Sequence, residues 1–389
     1  MRIVQAVFGV FHHFELAHQL HRRHHLERVF STWPWVRLQR EGLPKELVST
    51  FPLIHTAEYL LSQSRFTSPR LIAQLASWNT RAFDLWTHLR IPPCDAFIAI
   101  SGAGLLTAQK VHANGGKFLC DRGSTHQRFQ EAVVAEEHRR WNLPPLLAKP
   151  HIADREDKLY AQADAITVPS TVAKRSFLAN GIPEHKLHVI PYGVRLDRFT
   201  PSTPPPADSF EVLFAGNVSL RKGIPYLLEA FKSLRHPNKH ITIVGSIQPQ
   251  MRELLHRLPT DNVSFTGPLS QPDLIERMRS SHVLVLPSVE EGLALVQAQA
   301  MACGCPVIAT TASGAEDLFT NEIEGFIIPD RDPATLTSRM QQLADDPTLR
   351  EKMSERSLRR VRQLGGWDTY GDRWDHLLHQ LTGISPDTA

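Results

Sequence analysis

The residues able to do chemistry concentrate in two short windows. The first, LPSVEEGLALVQAQAMACGCPVIAT, occupies residues 286–310. An apolar run ends at Pro287, a loop carries Glu290, Glu291 and Gly292, and a helical stretch leads to a turn at Gly304. Gly292 has no Cβ and so lets a ligand approach the backbone closely. The amides of Leu293, Ala294 and Leu295, at the expected start of the helix, lack intrahelical partners. Together with the helix dipole they form an anion site suited to a diphosphate. A carboxylate at that rim, Glu291, needs a neutral hydroxylated group beside it, and carboxylates accept well from sugar hydroxyls. Gln299 lies further along, about 12 Å away on a continuous helix. That span suits the two ends of a nucleotide-sugar.

The second window, VLFAGNVSLRKGIPYLLEAF, covers residues 212–231. Gly216 ends a strand-like run, Asn217 follows, and Arg221 and Lys222 precede Gly223 at the start of the next helix. Two adjacent cations at a strand-to-helix loop can neutralise a phosphate leaving group, the arginine as a bidentate fork and the lysine as a point charge.

These windows need a scaffold that brings loops to one edge, and the surrounding pattern supplies it. Apolar runs at 211–216, 240–245, 262–267, 282–287, 306–310 and 325–329 alternate with amphipathic stretches. Nearly continuous apolar strands between helices predict a parallel sheet covered on both faces, with ligands at the strands' carboxyl ends. The first half repeats the alternation less cleanly, with strands expected at 2–9, 96–100, 117–121 and 165–169 and a helix over 125–141. Residues 31–70 read as irregular. RFTPSTPPPADS, with four prolines, marks a stiff connector. The expectation is α/β: an acceptor-binding Rossmann-like domain over 1–195, a linker over 196–209 and a donor-binding Rossmann-like domain over 210–365. The amphipathic tail 366–389 is expected to cross back onto the first domain.

Composition limits the function classes. The chain has 389 residues, enough for two cores, and 42% apolar against 21% charged side chains argues against disorder. A net charge of +3 is too balanced for a dedicated nucleic-acid binder. Residues 1–200 carry 25 basic and 17 acidic side chains, so the first half is basic and the second acidic. Cys94, Cys120, Cys303 and Cys305 form no disulfide scaffold or zinc-type pair, which fits a reduced cytosolic setting. Cys303 and Cys305 read as packing residues. The start, MRIVQAVFGVFHHFEL, reads as a first strand rather than a leader. His12, His13, His18, His21, His24 and His25 read as exposed basic surface more than as a metal site.

Taken in order, ITVPSTVAKRSF, VIPYGVRLDRF, FAGNVSLRKG, LPSVEEGLALVQAQAMACGCPVIAT and EGFIIPDRDPATL resemble the retaining glycosyltransferases of family 4, which have the GT-B fold. The resemblance implies two Rossmann-like domains facing across a cleft and a UDP- or GDP-linked sugar donor. It implies a glycan, lipid-linked or small-molecule acceptor in the first domain and no metal cofactor. Glu291 then touches the donor sugar, and Gln299 stands where the family's second glutamate holds the ribose. Lys222 falls on the family's phosphate lysine. Asn217 replaces the arginine many members carry, leaving Arg221 to supply that cation. Gly9 stands where the family makes room for the donor phosphate, and His126 where it often places a histidine near the transferred sugar.

The resemblance further implies a diphosphate that departs under Lys222, Arg221 and the 293–295 amides and takes up the acceptor's proton. A cytoplasmic protein is expected, with peripheral attachment at the inner membrane face through the basic first domain. A nucleotide-sugar epimerase of the same fold and a catalytically weak relative are the competing readings.

Overall fold

The computed structural model describes residues 1–62, 69–145, 150–202 and 205–385. The sequence's linker and tail therefore extend in part, at 203–204 and 386–389, outside the described residues.

The first sheet is built from β1 (Ile3–Val7), β2 (Leu26–Ser31), β3 (Val48–Thr50), β4 (Ala96–Ile100), β5 (Lys117–Asp121), β6 (Ala165–Val168) and β7 (Leu187–Val189). The second contains β8 (Phe210–Ala215), β9 (Lys239–Val244), β10 (Val263–Gly267), β11 (Val283–Leu286), β12 (Val307–Thr310) and β13 (Gly325–Ile328). Their orders are β3-β2-β1-β4-β5-β6-β7 and β10-β9-β8-β11-β12-β13. Every pairing between these strands is parallel.

Both orders reverse direction once, between β1 and β4 and between β8 and β11. Such reversals open a crevice at the strands' carboxyl ends. Central strands are buried on both faces, which is why they read as unbroken apolar runs. Successive side chains alternate between faces: Ile98 joins one core, and Phe97 and Ala99 join the other.

The chain's last helix, Trp367–Thr382, lies on the first helix, Phe11–Arg22. Arg22 pairs with Asp368 at 2.6 Å and Arg23 with Asp372 at 2.5 Å on the outside. Tyr370 and Trp374 are buried beneath, with Tyr370 between Tyr192 and Trp374. The core that holds them also includes residues of the second sheet, so this helix ties the ends of the chain together.

Two expectations are corrected. Residues 31–70 are not irregular throughout: they contain β3 and the helices Trp35–Leu38 and Leu53–Ser62. The histidine group is not a uniform exposed surface either. His12 and His13 are buried, and His25 pairs with Asp375 of the last helix at 3.1 Å, while His21 and His24 are exposed.

Trp374→Ala removes a large, fully enclosed side chain from the seam between the two chain ends. It should lower unfolding free energy by about 3–5 kcal/mol, read from the midpoint of denaturant unfolding.

Candidate active site

In the second domain the switch point lies between β8 and β11. The loop after β8 carries Gly216, Asn217, Arg221 and Lys222, and the loop after β11 carries Glu290, Glu291 and Gly292. Gly223, at φ +69°, fastens them: a Cβ there would stand 1.9 Å from the Pro287 carbonyl oxygen. The Val289 N–H donates to the Arg221 carbonyl at 2.9 Å, adding a direct bond between the loops. Neither cation can therefore move far without moving the glutamates.

The side chains form one charge cluster. The Lys222 ammonium pairs with Glu291 Oε2. Arg221 reaches Glu291 Oε1 at 3.6 Å and Glu290 Oε2 at 3.1 Å. Burial, with the Arg221 guanidinium beside it, lowers the Lys222 ammonium from its usual range to about 7, against an opposing pull from Glu290. Burial alone would raise the Glu290 carboxyl; Arg221 and hydrogen bonds from Thr125 and Gln130 outweigh it and hold it below the usual range.

Glu290 faces the first domain. Its carboxylate accepts from Ser124 Oγ at 2.9 Å, Thr125 Oγ1 at 2.6 Å and Gln130 Nε2 at 2.9 Å. Gln130 also accepts from Arg122, which donates to Ser101 at the end of β4. A hydrogen-bonded chain thus runs from the switch point of one domain to that of the other.

The domains meet elsewhere too. Glu137, fully buried, accepts from Tyr226 at 2.9 Å and from Arg331 at 2.5 Å. Thr171 donates to Asp317, and Ser170 donates to the Gly292 carbonyl at 2.5 Å. Gly292 has a different reason from the one expected. A Cβ there would lie 2.3 Å from the Gly123 carbonyl oxygen, so the missing side chain admits the other domain's backbone.

The remaining sequence-derived positions divide. The helix begins at Leu295 with Ala294 as an N-cap that has no side-chain hydrogen bond, so Leu293 precedes the helix rather than opening it. Gln299 sits half-buried on that helix. Asn217 is exposed, next to half-buried Gly216. Gly9, after β1, has open space where a Cβ would project. His126 departs most from expectation. Its ring caps the helix Gln127–Arg140 by accepting from the Arg128 N–H at 3.3 Å, and its other nitrogen faces Asp157 at 3.7 Å. Tyr160 and Phe177 flank it, and burial lowers it to about 4. It is a neutral helix cap within its own domain.

Sequence reasoning assigned no role to Glu290, Glu137 or Asp121. His12 and His13 both present Nε2 to Asp121 Oδ2, at 2.9 and 3.3 Å. These three offer metal-ligating atoms within 4.8 Å of one another, but they already engage one another and Thr167. The doublet Glu290–Glu291 beside a basic doublet was the available signal for Glu290. Glu137 sits in an ordinary charged helix and gave none.

Two outcomes follow. A diphosphate bound here would favour the charged form of Lys222, so its binding would take up a proton above pH 7. UDP or GDP affinity should then fall as pH rises past 7, by up to about tenfold per unit. Lys222→Arg, whose guanidinium stays charged, should flatten that decline in calorimetric titrations. Gly292→Ala should hold the domains apart, increasing the radius of gyration in solution scattering.

Comparison with known proteins fits this geometry. The profile described as Glycosyltransferase Family 4 matches residues 10–198, and that of Glycosyl transferases group 1 matches residues 197–360. A D-inositol 3-phosphate glycosyltransferase of Xylanimonas cellulosilytica is 29% identical over 235 residues, 55% of this chain and 56% of that protein. A GDP-mannose-dependent monoacylated alpha-(1-6)-phosphatidylinositol monomannoside mannosyltransferase of Corynebacterium glutamicum is 28% identical over 284 residues, 66% of this chain and 72% of that one. The matches thus span from about half to nearly three quarters of these relatives.

Among solved structures, sucrose-phosphate synthase of Thermosynechococcus elongatus superposes with TM-score 0.75 at 20% identity, covering 99% of this chain and 100% of that one. Anabaena HepE in complex with UDP-glucose superposes with TM-score 0.69 at 17% identity, covering 98% and 100%. The two parallel sheets, their facing switch points and the two profiles identify the chain as a member of the family 4 glycosyltransferases, with the GT-B fold.

Proposed function

We propose that the protein transfers a hexosyl unit from a UDP- or GDP-linked sugar to an acceptor held by the first domain, with retention at the anomeric carbon. The observation that carries this reading is the meeting of Lys222, Arg221 and Glu291 at the second domain's switch point, directly under the first domain. In the resting cluster Glu291 occupies the lysine. An arriving diphosphate takes over Lys222 and Arg221, and Glu291 turns to the sugar hydroxyls. Gln299 receives the ribose. Gly9, with no packing demand of its own, leaves room for the phosphates from the opposite side.

In the reaction the bond between the anomeric carbon and the phosphate oxygen breaks, and its electron pair stays on the diphosphate. The sugar passes through an oxocarbenium-like state. Lys222, Arg221 and the amides leading into the helix at Leu295 hold the growing negative charge, which is catalysis by preorganised donors. The acceptor hydroxyl forms the new bond on the face the diphosphate leaves, and its proton goes to a departing phosphate oxygen. The contacts through Glu290 and Glu137 keep water from competing for the sugar. The chain's own cations meet the charge, so the reading assigns no metal.

The acceptor is a glycan, a lipid-linked sugar or a small molecule. The names of these two relatives specify acceptors that carry phosphate, which supports an anionic group on it. We assign it to a cavity of about 400 Å³ at the ends of β1 and β4, lined by Ser101, the basic Arg81, Arg155 and Lys158 and the acidic Asp154 and Glu156. A reduced, cytoplasmic setting is in keeping with four unpaired cysteines. No helix among the described residues is long and apolar enough to cross a membrane.

Lys222→Ala and Glu291→Ala should each lower turnover by about 10²–10³-fold with the thermal midpoint kept; near-normal turnover would remove the clamp. Gln299→Glu should lower the donor Kd. Proton NMR of the product should show the donor's anomeric configuration, and a product formed without any acceptor would instead indicate an epimerase.

A further inference from the structure

Among the described residues, two groups of three side chains bring metal-ligating atoms within 4.8 Å of one another. In the group already described, the carboxylate is satisfied by hydrogen bonds: Asp121 Oδ2 accepts from His12 at 2.9 Å and Oδ1 from Thr167 at 2.8 Å. The second group is His25, Asp375 and His379. His25 directly precedes β2, so it stands at that strand's amino end, away from the cleft at the carboxyl ends. Asp375 and His379 lie on the helix Trp367–Thr382, and their i, i+4 spacing puts both on one face. The group therefore spans the seam between the two ends of the chain.

These three side chains do not satisfy one another. His379 Nδ1 meets the Ile384 carbonyl, which can only accept, so Nδ1 carries the ring's hydrogen. In the neutral ring Nε2 then holds a lone pair, and it faces Asp375 Oδ2 at 3.6 Å, beyond hydrogen-bond length. On the other side His25 Nε2 stands 3.1 Å from Asp375 Oδ1. Oδ1 is nevertheless buried and accepts no hydrogen bond, so the ring does not aim a hydrogen at it. The His25 side chain is nine-tenths buried. Burial lowers its ring from the usual range, the terminal amino group adds to this and Asp375 opposes it. At neutral pH the ring is thus in the uncharged form that ligates metals. A lone pair turned toward a carboxylate is repelled by it, and a cation between them removes that repulsion. Two donors bound at zinc distances in a tetrahedron lie about 3.3 Å apart, and the two observed separations bracket that value. A backbone carbonyl on the second ring nitrogen is also how metal-bound histidines are commonly oriented.

We propose that His25, Asp375 and His379 bind a divalent transition ion of the zinc class, with water completing the tetrahedron where Asp375 reaches solvent. Two imidazoles and a carboxylate suit zinc, whereas magnesium and calcium take oxygen donors. The ion clips the last helix to the start of β2 and so holds the two ends of the chain together. It lies at the opposite end of the first domain's strands from the cleft and takes no part in the transfer chemistry, so it is tested without it. The rival arrangement is a second proton on His379, which would satisfy Asp375 without any metal.

The experiment is equilibrium dialysis of the full chain, stripped with a chelator, against micromolar zinc chloride, with bound metal counted by atomic absorption and thermal unfolding followed with and without zinc. The wild type should hold a single zinc ion per chain, and zinc should raise its thermal midpoint; magnesium chloride should do neither. His25→Gln/His379→Gln should lose both the ion and the shift, with unchanged circular dichroism. Asp375→Asn, which keeps the shape and removes the charge, should weaken zinc binding by more than the roughly tenfold that loss of an outer partner costs. Wild-type protein that holds no zinc above the dialysate overturns the proposal and leaves His379 as an imidazolium paired with Asp375. Full zinc retention by His25→Gln/His379→Gln overturns it as well, and loss of that zinc in His12→Gln would place the ion at Asp121 instead.

Discussion

A pair of cations held against a pair of carboxylates, at the point where two sheets reverse their strand order, is the interaction on which the rest of the structure depends. A buried ion pair contributes little net stability, because desolvating both charges offsets their attraction, while removing one partner leaves a costly lone charge. The Lys222–Glu291 contact is better understood as holding a place. In the proposed reaction it keeps the ammonium in the cleft until an anion replaces the carboxylate. Arg221 cannot drift away, since Glu290 grips it, and Glu290 is gripped in turn by Ser124, Thr125 and Gln130 of the other domain. The charge cluster and the apposition of the domains are thus one construction, in which domain closure sets the position of the arginine.

The glycines show how tightly this is built. Gly223 and Gly292 each stand where a single carbon would strike a backbone carbonyl, one within the second domain and one across the cleft. At Gly9 a Cβ would meet nothing within 4 Å. A loop glycine therefore has no single meaning: the first two are demanded by protein approaching protein, and the third leaves empty space on the other side of the cleft.

The second domain was readable in the sequence because its strands, buried on both faces, are unbroken apolar runs between amphipathic helices. All six apolar runs there became β8–β13. The first domain was less legible for physical reasons. β2 is LERVFS, with two charges in six residues, and β3 and β7 are three residues long, too short for any periodicity to show. The helix Leu53–Ser62 lay hidden because Leu53, Tyr59 and Leu60 face water, so no buried stripe marks it. At the site, Arg221, Lys222 and Glu291 announced themselves by type and position. His126 showed the limit of type alone, since its nitrogens are taken up by a helix terminus and by Asp157. Contacts such as Glu137 with Arg331, separated by 194 residues, half the chain, have no local signature.

The most direct test of this account is a crystal structure of the protein with UDP or GDP bound. The account predicts a terminal phosphate in hydrogen-bonding contact with Lys222 and Arg221, with Glu291 turned away from the lysine. A nucleotide bound elsewhere, with the Lys222–Glu291 pair intact, would contradict it.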